Sequence, residues 1–237
     1  RVRKEDCLDL PDKVYVKREV ELTKEQSDAY TQMKHLALAR LDNGELSTTQ
    51  NVLTQIMRLQ QICLGHLTDD DGEVHQIKSN RLTELLNICD ELQGKAIIWA
   101  TWTMDIRSIV EALRDRFSVQ AVSALHGETA DSERQQIVET FQDRQSELRF
   151  IVGHPKTGGF GLTLTAANTV VYYSNSYDLE LRMQSEDRAH RIGQENKVTY
   201  IDLISPKTID EKIVDALRNK IKIADTVMGE EARDWLS

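Results

Sequence analysis

Two rhythms of apolar and polar positions divide the chain. Up to about residue 93 the apolar residues recur mostly at helical spacing. Residues 14–22 (VYVKREVEL) mix β-branched and charged side chains and read as extended. Thr23 and Gln26 then form a capping box, predicting a helix to about Leu41 that Asn43-Gly44 stops. Ser47 and Gln50 repeat that signal. The helix they open runs to about Leu64, with Leu53, Ile56, Gln60 and Cys63 on one face and Gly65 past its end. Residues 68–78 (TDDDGEVHQIK) are polar and predict a loop or a weak hairpin. A third helix carries Leu82, Leu85, Leu86, Cys89 and Leu92 and ends at Gly94.

Beyond residue 94 short apolar runs alternate with amphipathic stretches. Residues 96–101, 119–125, 149–153, 169–174 and 198–204 read as strands. Between them lie a helix with Ile106, Ile109, Val110, Leu113 and Phe117 inward, and another over 131–142 with Ile137, Val138 and Phe141 inward. Thr208 and Glu211 predict a last capping box, before a helix presenting Ile213, Val214, Leu217 and Ile221. This alternation predicts an α/β fold: a parallel sheet with helices on both faces, preceded by a helical segment. Ligands of such sheets bind at the carboxyl ends of the strands.

The candidate chemistry clusters late in the chain. After Asp178, a residue suited to capping, the stretch QSEDRAHRIGQ (184–194) reads as helix. Helical spacing would put Gln184, Asp187, Arg188 and Arg191 on one face. Two arginines three apart repel by about 0.2–0.5 kcal/mol on a bare helix, so such a face wants an anion, and forked guanidiniums suit phosphate. A solvated face with local Asp–Arg pairing is the alternative. Following the RFIVG strand, HPKTGGFGL (154–162) combines Gly158, Gly159 and Gly161 with Lys156 and Thr157. It suits either an anion-holding turn or a plain strand-to-helix turn. Thr101 and Trp102 follow another strand, as His126 and Arg134 follow the next, while Trp99 reads as core.

Composition narrows the classes. The chain of 237 residues has 40% apolar content, enough for a core, and a net charge of −9 that argues against coating nucleic acid with its whole surface. A local basic groove is not excluded. Three separated cysteines (Cys7, Cys63, Cys89) fit reduced intracellular thiols rather than a disulfide framework. No apolar run reaches the roughly 18 residues of a membrane span. None of the 11 glycines opens a GxxxxGK[ST] phosphate loop, and no HExxH metal pair or nucleophile elbow occurs. Asp210-Glu211, inside a helix start, makes a poor magnesium pair.

These blocks together resemble the second RecA-like lobe of the Swi/Snf family of ATPases in helicase superfamily two. QSEDRAHRIGQ resembles that family's sixth motif, and GGFGLTLTAANTVVYYS its fifth motif with the strand after it. AIIWATW resembles the fourth motif, and HGETADSERQQIVETFQ the segment between. The resemblance implies a RecA-like core over 94–206, an extended lead-in and helical linker or protrusion over 1–93, and a C-terminal helix packing on the lobe over 207–237. It implies Arg188 and Arg191 as fingers reaching the γ-phosphate, with Gln184, Asp187, Gly159 and Gly161 near the nucleotide cleft. Lys156, Thr157, Thr101 and Trp102 would meet DNA phosphate. No resident metal is implied. ATP and magnesium would be held by an N-terminal lobe of the same polypeptide, double-stranded DNA would be the partner, and this piece alone would not hydrolyse ATP. A cytoplasmic, nucleoid or nuclear setting follows. His154-Pro155, where many members read Ser-Thr, resembles bacterial and phage forms. HRIGQ also slides onto the HRIGR of RNA helicases, which would put Gln194 where a second arginine belongs. A nucleic-acid-binding or protein-interaction module on the same fold is the third reading.

Overall fold

A computed structural model describes residues 10–46, 48–69, 71–125, 127, 129–157, 161–227 and 230–237, with backbone alone at Asp225 and Glu230. Cys7, Ser47, His126, Gly158, Gly159 and Phe160 lie outside the described residues. In chain order the elements are β1 (Lys13–Glu19), α1 (Lys24–Asp42), α2 (Thr49–Leu64), β2 (His66–Thr68), β3 (Val74–Gln76) and α3 (Arg81–Glu91). Then come β4 (Lys95–Trp99), α4 (Thr103–Arg116), β5 (Val122–Leu125), α5 (Asp131–Gln142), β6 (Phe150–Gly153) and β7 (Ala167–Tyr172). The chain closes with α6 (Leu179–Glu186), β8 (Val198–Ile204), α7 (Ile209–Arg218), α8 (Ile223–Thr226) and α9 (Glu230–Leu236).

Six strands form one sheet in the order β1-β8-β7-β4-β6-β5, a RecA-like parallel sheet with flanking helices. The central strands are buried on both faces. Ile97 and Trp99 of β4 join Phe141 of α5, Ile151, Val170 and Tyr172 in one core, and Ala96 and Ile98 between them are equally buried. That is why these strands read as unbroken apolar runs rather than alternating ones. The register matters for the site: Trp99 pairs with Gly153 and Tyr172, and Leu125 with Gly153, so β4, β5, β6 and β7 end level.

The chain groups into two compact units. The first, Arg1–Arg18, Leu85–Asn175 and Glu180–Leu203, holds most of the sheet. The second comprises Glu19–Glu84, Ser176–Leu179 and Ile204–Ser237. Its core packs Ile56, Leu59 and Cys63 of α2 with Ile209, Ile213 and Leu217 of α7 and Ala232 and Leu236 of α9. Within that unit Arg81 and Asp210 form a fully buried ion pair, and Asp210 also accepts from Ser205 N at 3.1 Å.

Several boundaries differ from the sequence pattern, each for a local reason. Thr23 and Gln26 do close a reciprocal capping box. The cap of α2 is Thr48, whose hydroxyl accepts from Asn51 N at 3.2 Å, one residue later than the Ser47 signal. At α7, Thr208 caps Asp210 N, but Glu211 turns back to accept from the amide of Lys207, which stands at φ 59°, at 2.9 Å. The box there is therefore not reciprocal. The polar stretch 68–78 contributes to a two-stranded hairpin of β2 and β3. The strand expected over 119–125 begins only at Val122, and Val119 is exposed.

Candidate functional site

The most consequential difference concerns QSEDRAHRIGQ. Helix α6 stops at Glu186, and residues 187–193 form turns. The expected helical face shared by Gln184, Asp187, Arg188 and Arg191 is thus corrected. Carbonyls here take bonds from outside the helix. Glu186 O accepts from Ala189 N, from His190 N and from the Tyr200 hydroxyl at 3.0 Å. Arg188 O accepts from Leu164 N at 2.9 Å, so it is not available to a continuing helix. Ala189 is fully buried in the sheet core, and Gln194 Nε2 donates to the carbonyls of Thr165, Ala167 and Ala189 at 2.9–3.1 Å. Gln194 is a staple of the turn.

The turn nevertheless brings the two arginines together with the loop after β6. Arg188 is buried, lies 5.0 Å over the Trp99 ring, and donates from Nη2 to Pro155 O at 2.7 Å. Its Nη1 meets no hydrogen-bond partner among the described residues. Burial pulls its pKa below the ordinary arginine value, yet a guanidinium stays charged at neutral pH. Arg191, half-buried, reaches Gly161 O from Nη1 at 3.4 Å. Gly161 stands at φ 120°, where an L side chain is strained, so the glycine there is a backbone requirement. The two arginines are thus held by the backbone carbonyls of Pro155 and Gly161.

The other expected residues distribute around this point. Thr157 is buried and donates its amide to His154 O at 2.9 Å, while Lys156 is exposed and donates its amide to His154 Nδ1 at 2.9 Å. That bond requires an unprotonated Nδ1. Burial first, then Lys156 and Arg188, push the His154 pKa below its ordinary value. Thr101, after β4, is fixed by Ser174: its amide donates to Ser174 Oγ at 2.8 Å. Trp102 is the N-cap residue of α4 and half-buried. Gln184 is exposed on α6 and Asp187 half-buried just past its end. Gly159 lies outside the described residues.

Sequence reasoning missed a buried polar network beneath the arginine turn. Arg182 donates to Asp202 Oδ1 and Asn175 Oδ1 at 2.5 Å and to Glu186 Oε1 at 2.8 Å, and stacks 3.6 Å over the Tyr172 ring. Ser185 joins it through the Tyr172 hydroxyl at 2.7 Å. The one signal was Asp202, a lone acid inside the apolar strand VTYIDLI. A buried carboxylate demands a cation, and its partner arrives from a helix 20 residues earlier. Among the described residues no group of three His, Cys, Asp or Glu could hold a metal ion, and no helix is long and apolar enough to cross a membrane.

Residues 77–193, which span β4 to β7 and both arginines, match the family model described as the helicase conserved C-terminal domain. The structure resembles the C-terminal domain of the Sulfolobus solfataricus SWI2/SNF2 ATPase, 25% identical, with a TM-score of 0.65 over 94% of this chain and 92% of that one. The chain holds a Swi/Snf-family helicase C-terminal lobe. The same Sulfolobus ATPase core, solved in complex with dsDNA, is 27% identical, with a TM-score of 0.68 over 98% of this chain and 49% of that one. Among curated relatives, Bacillus subtilis YwqA, assigned as an ATP-dependent helicase/translocase, is 29% identical over 239 residues. The Swi/Snf lobe described here covers 98% of this chain in that alignment but only 26% of YwqA, so it spans about a quarter of that relative's length.

Proposed function

We propose that this Swi/Snf lobe is the C-terminal half of a DNA-stimulated ATPase motor, supplying Arg188 and Arg191 as fingers to a γ-phosphate held by a first lobe. One observation carries the reading. Arg188 is a buried cation held on one side by Trp99 and Pro155 O, with Nη1 left without a partner among the described residues. An unsatisfied buried guanidinium nitrogen costs free energy unless an anion arrives. A phosphate oxygen fits it, and charge developing in phosphoryl transfer would strengthen the contact.

Gln184, Asp187, Gly159 and Gly161 would border the nucleotide. Lys156, Thr157, Thr101 and Trp102, following the level ends of β4 and β6, would face duplex DNA. The DNA complex of the Sulfolobus ATPase core supports that partner. The phosphate loop and the magnesium ligands belong, in this reading, to the first lobe, because no GxxxxGK[ST] occurs in the 237 residues. Magnesium bound there with ATP would neutralise phosphate charge. The residues of this lobe would orient and stabilise, and closure of the two lobes would complete the site.

Two assays test this. In the protein carrying both lobes, Arg191→Ala lowers ATP turnover about 10³-fold while nucleotide binding survives better. The 237-residue chain alone shows no steady-state ATPase with double-stranded DNA. Preserved turnover in the variant, or turnover by the isolated chain, contradicts the proposal.

A further inference from the structure

The turn that carries the arginines is gripped by a strand far away in sequence. Glu186 is the last residue of α6, two positions before Arg188. Its carboxylate is nearly buried and accepts from Tyr15 Oη at 2.7 Å and Lys13 Nζ at 3.0 Å on one oxygen, and from Arg182 Nε at 2.8 Å on the other. On the far side of the arginine, His190 Nε2 stands 2.6 Å from Pro11 O, and since a carbonyl only accepts, that nitrogen carries the proton. The Tyr15 ring also stacks on Tyr200 at 5.3 Å, and the Tyr200 hydroxyl donates to Glu186 O at 3.0 Å. Residues 11–15 therefore touch the chain two residues before Arg188 and immediately before Arg191.

We infer that β1 and the residue pair before it act as a positioning brace. Tyr15 and Lys13 through Glu186, and Pro11 O through His190, fix where Arg188 and Arg191 stand. The inference rests on reading those arginines as fingers. None of the brace residues touches substrate in this account; they act through the turn. A partly buried carboxylate with three donors has a narrow range of positions, and the turn moves with it. Displacement of reacting groups by about 1 Å can lower a rate about 100-fold, so a loosened brace appears in turnover before it appears in binding.

The test uses the two-lobe protein and steady-state ATP hydrolysis with duplex DNA. Tyr15→Phe removes one hydroxyl and keeps the stack on Tyr200. Glu186→Gln removes the charge and keeps the shape. Each lowers kcat about tenfold and leaves KM for ATP within about twofold, and the double variant loses no more than the worse single one, because both act through one contact. Amide exchange across residues 187–193 rises in Tyr15→Phe while that of β4 and β7 is unchanged. Unchanged kcat in both variants overturns the brace, whatever happens to Tm, as does an effect confined to KM. Arg191→Ala runs alongside. Lost turnover there with normal turnover in the brace variants sinks the brace alone, and turnover surviving Arg191→Ala sinks the finger reading and the brace with it.

Discussion

His154 shows how much one residue can carry at this site. Its Nδ1 accepts the Lys156 amide, and Arg188, held by the neighbouring Pro155 carbonyl, faces it as a fixed positive charge. Both facts favour the neutral ring, and its pKa is lowered in the folded protein. The folded state therefore binds that proton more weakly than the unfolded chain does. The stability this contributes is full above the unfolded value of about 6.5 and is lost as pH falls through it toward the lowered folded value. On acidification from about pH 7.5 to 5.5, wild type should lose more Tm than His154→Asn. Equal losses would show that His154 does not titrate against the loop. The sequence identified this loop and both arginines by residue type. It did not show that Pro155 contributes through its carbonyl, because a contact made by backbone leaves no mark in side-chain identity. Arg182 stayed unseen for a related reason: its partners Asp202 and Asn175 come from other elements.

At the scale of elements, periodicity located every long helix and each of the central strands, since burial on both faces writes itself as an apolar run. Ends were harder. The predicted helix through 184–194 keeps a helical pattern past Glu186, yet Arg188 O accepts from Leu164 N rather than from a following helical turn. Strand spacing gives another check. A Cβ on Gly153 would stand 2.7 Å from Leu125 O and 3.2 Å from Leu125 Cβ, so β5 and β6 approach more closely there than any side chain permits. Gly153→Ala should destabilise the lobe by about 1–3 kcal/mol by denaturant unfolding. A change within error would mean that β5 moves aside freely. The two described thiols give a further one. Cys63 and Cys89 are buried and free, and burial pushes each up to about 12. Peptides containing them should remain unalkylated by iodoacetamide at neutral pH until the protein unfolds. Rapid native labelling would contradict their packing.

For the whole molecule, the sheet order was not legible, because strand neighbours are set by crossovers rather than by local pattern. Nor could the pattern tell that residues 204–237 share a compact unit with residues 19–84. The Arg81–Asp210 pair stabilises that unit from within, joining the start of α3 to the start of α7 with both side chains essentially unexposed. Removing one partner strands a buried charge. Asp210→Ala should therefore cost about 3–5 kcal/mol, and replacing both residues with apolar ones of similar volume much less. Additive losses in that double replacement would mean that the two side chains are not coupled and would contradict this role of the pair. The acidic dipeptide Asp210-Glu211 is fully engaged in this structural work, with Glu211 on Lys207 N.

Binding of a transition-state mimic tests most directly the proposal that Nη1 of Arg188, without a partner among the described residues, receives a transferring phosphoryl group. In the two-lobe protein with DNA and magnesium, wild type should hold ADP with aluminium fluoride at least about 100-fold more tightly than Arg188→Ala does. Affinity for ADP alone should differ by no more than about threefold. Equal affinity of the two proteins for the mimic would contradict the account.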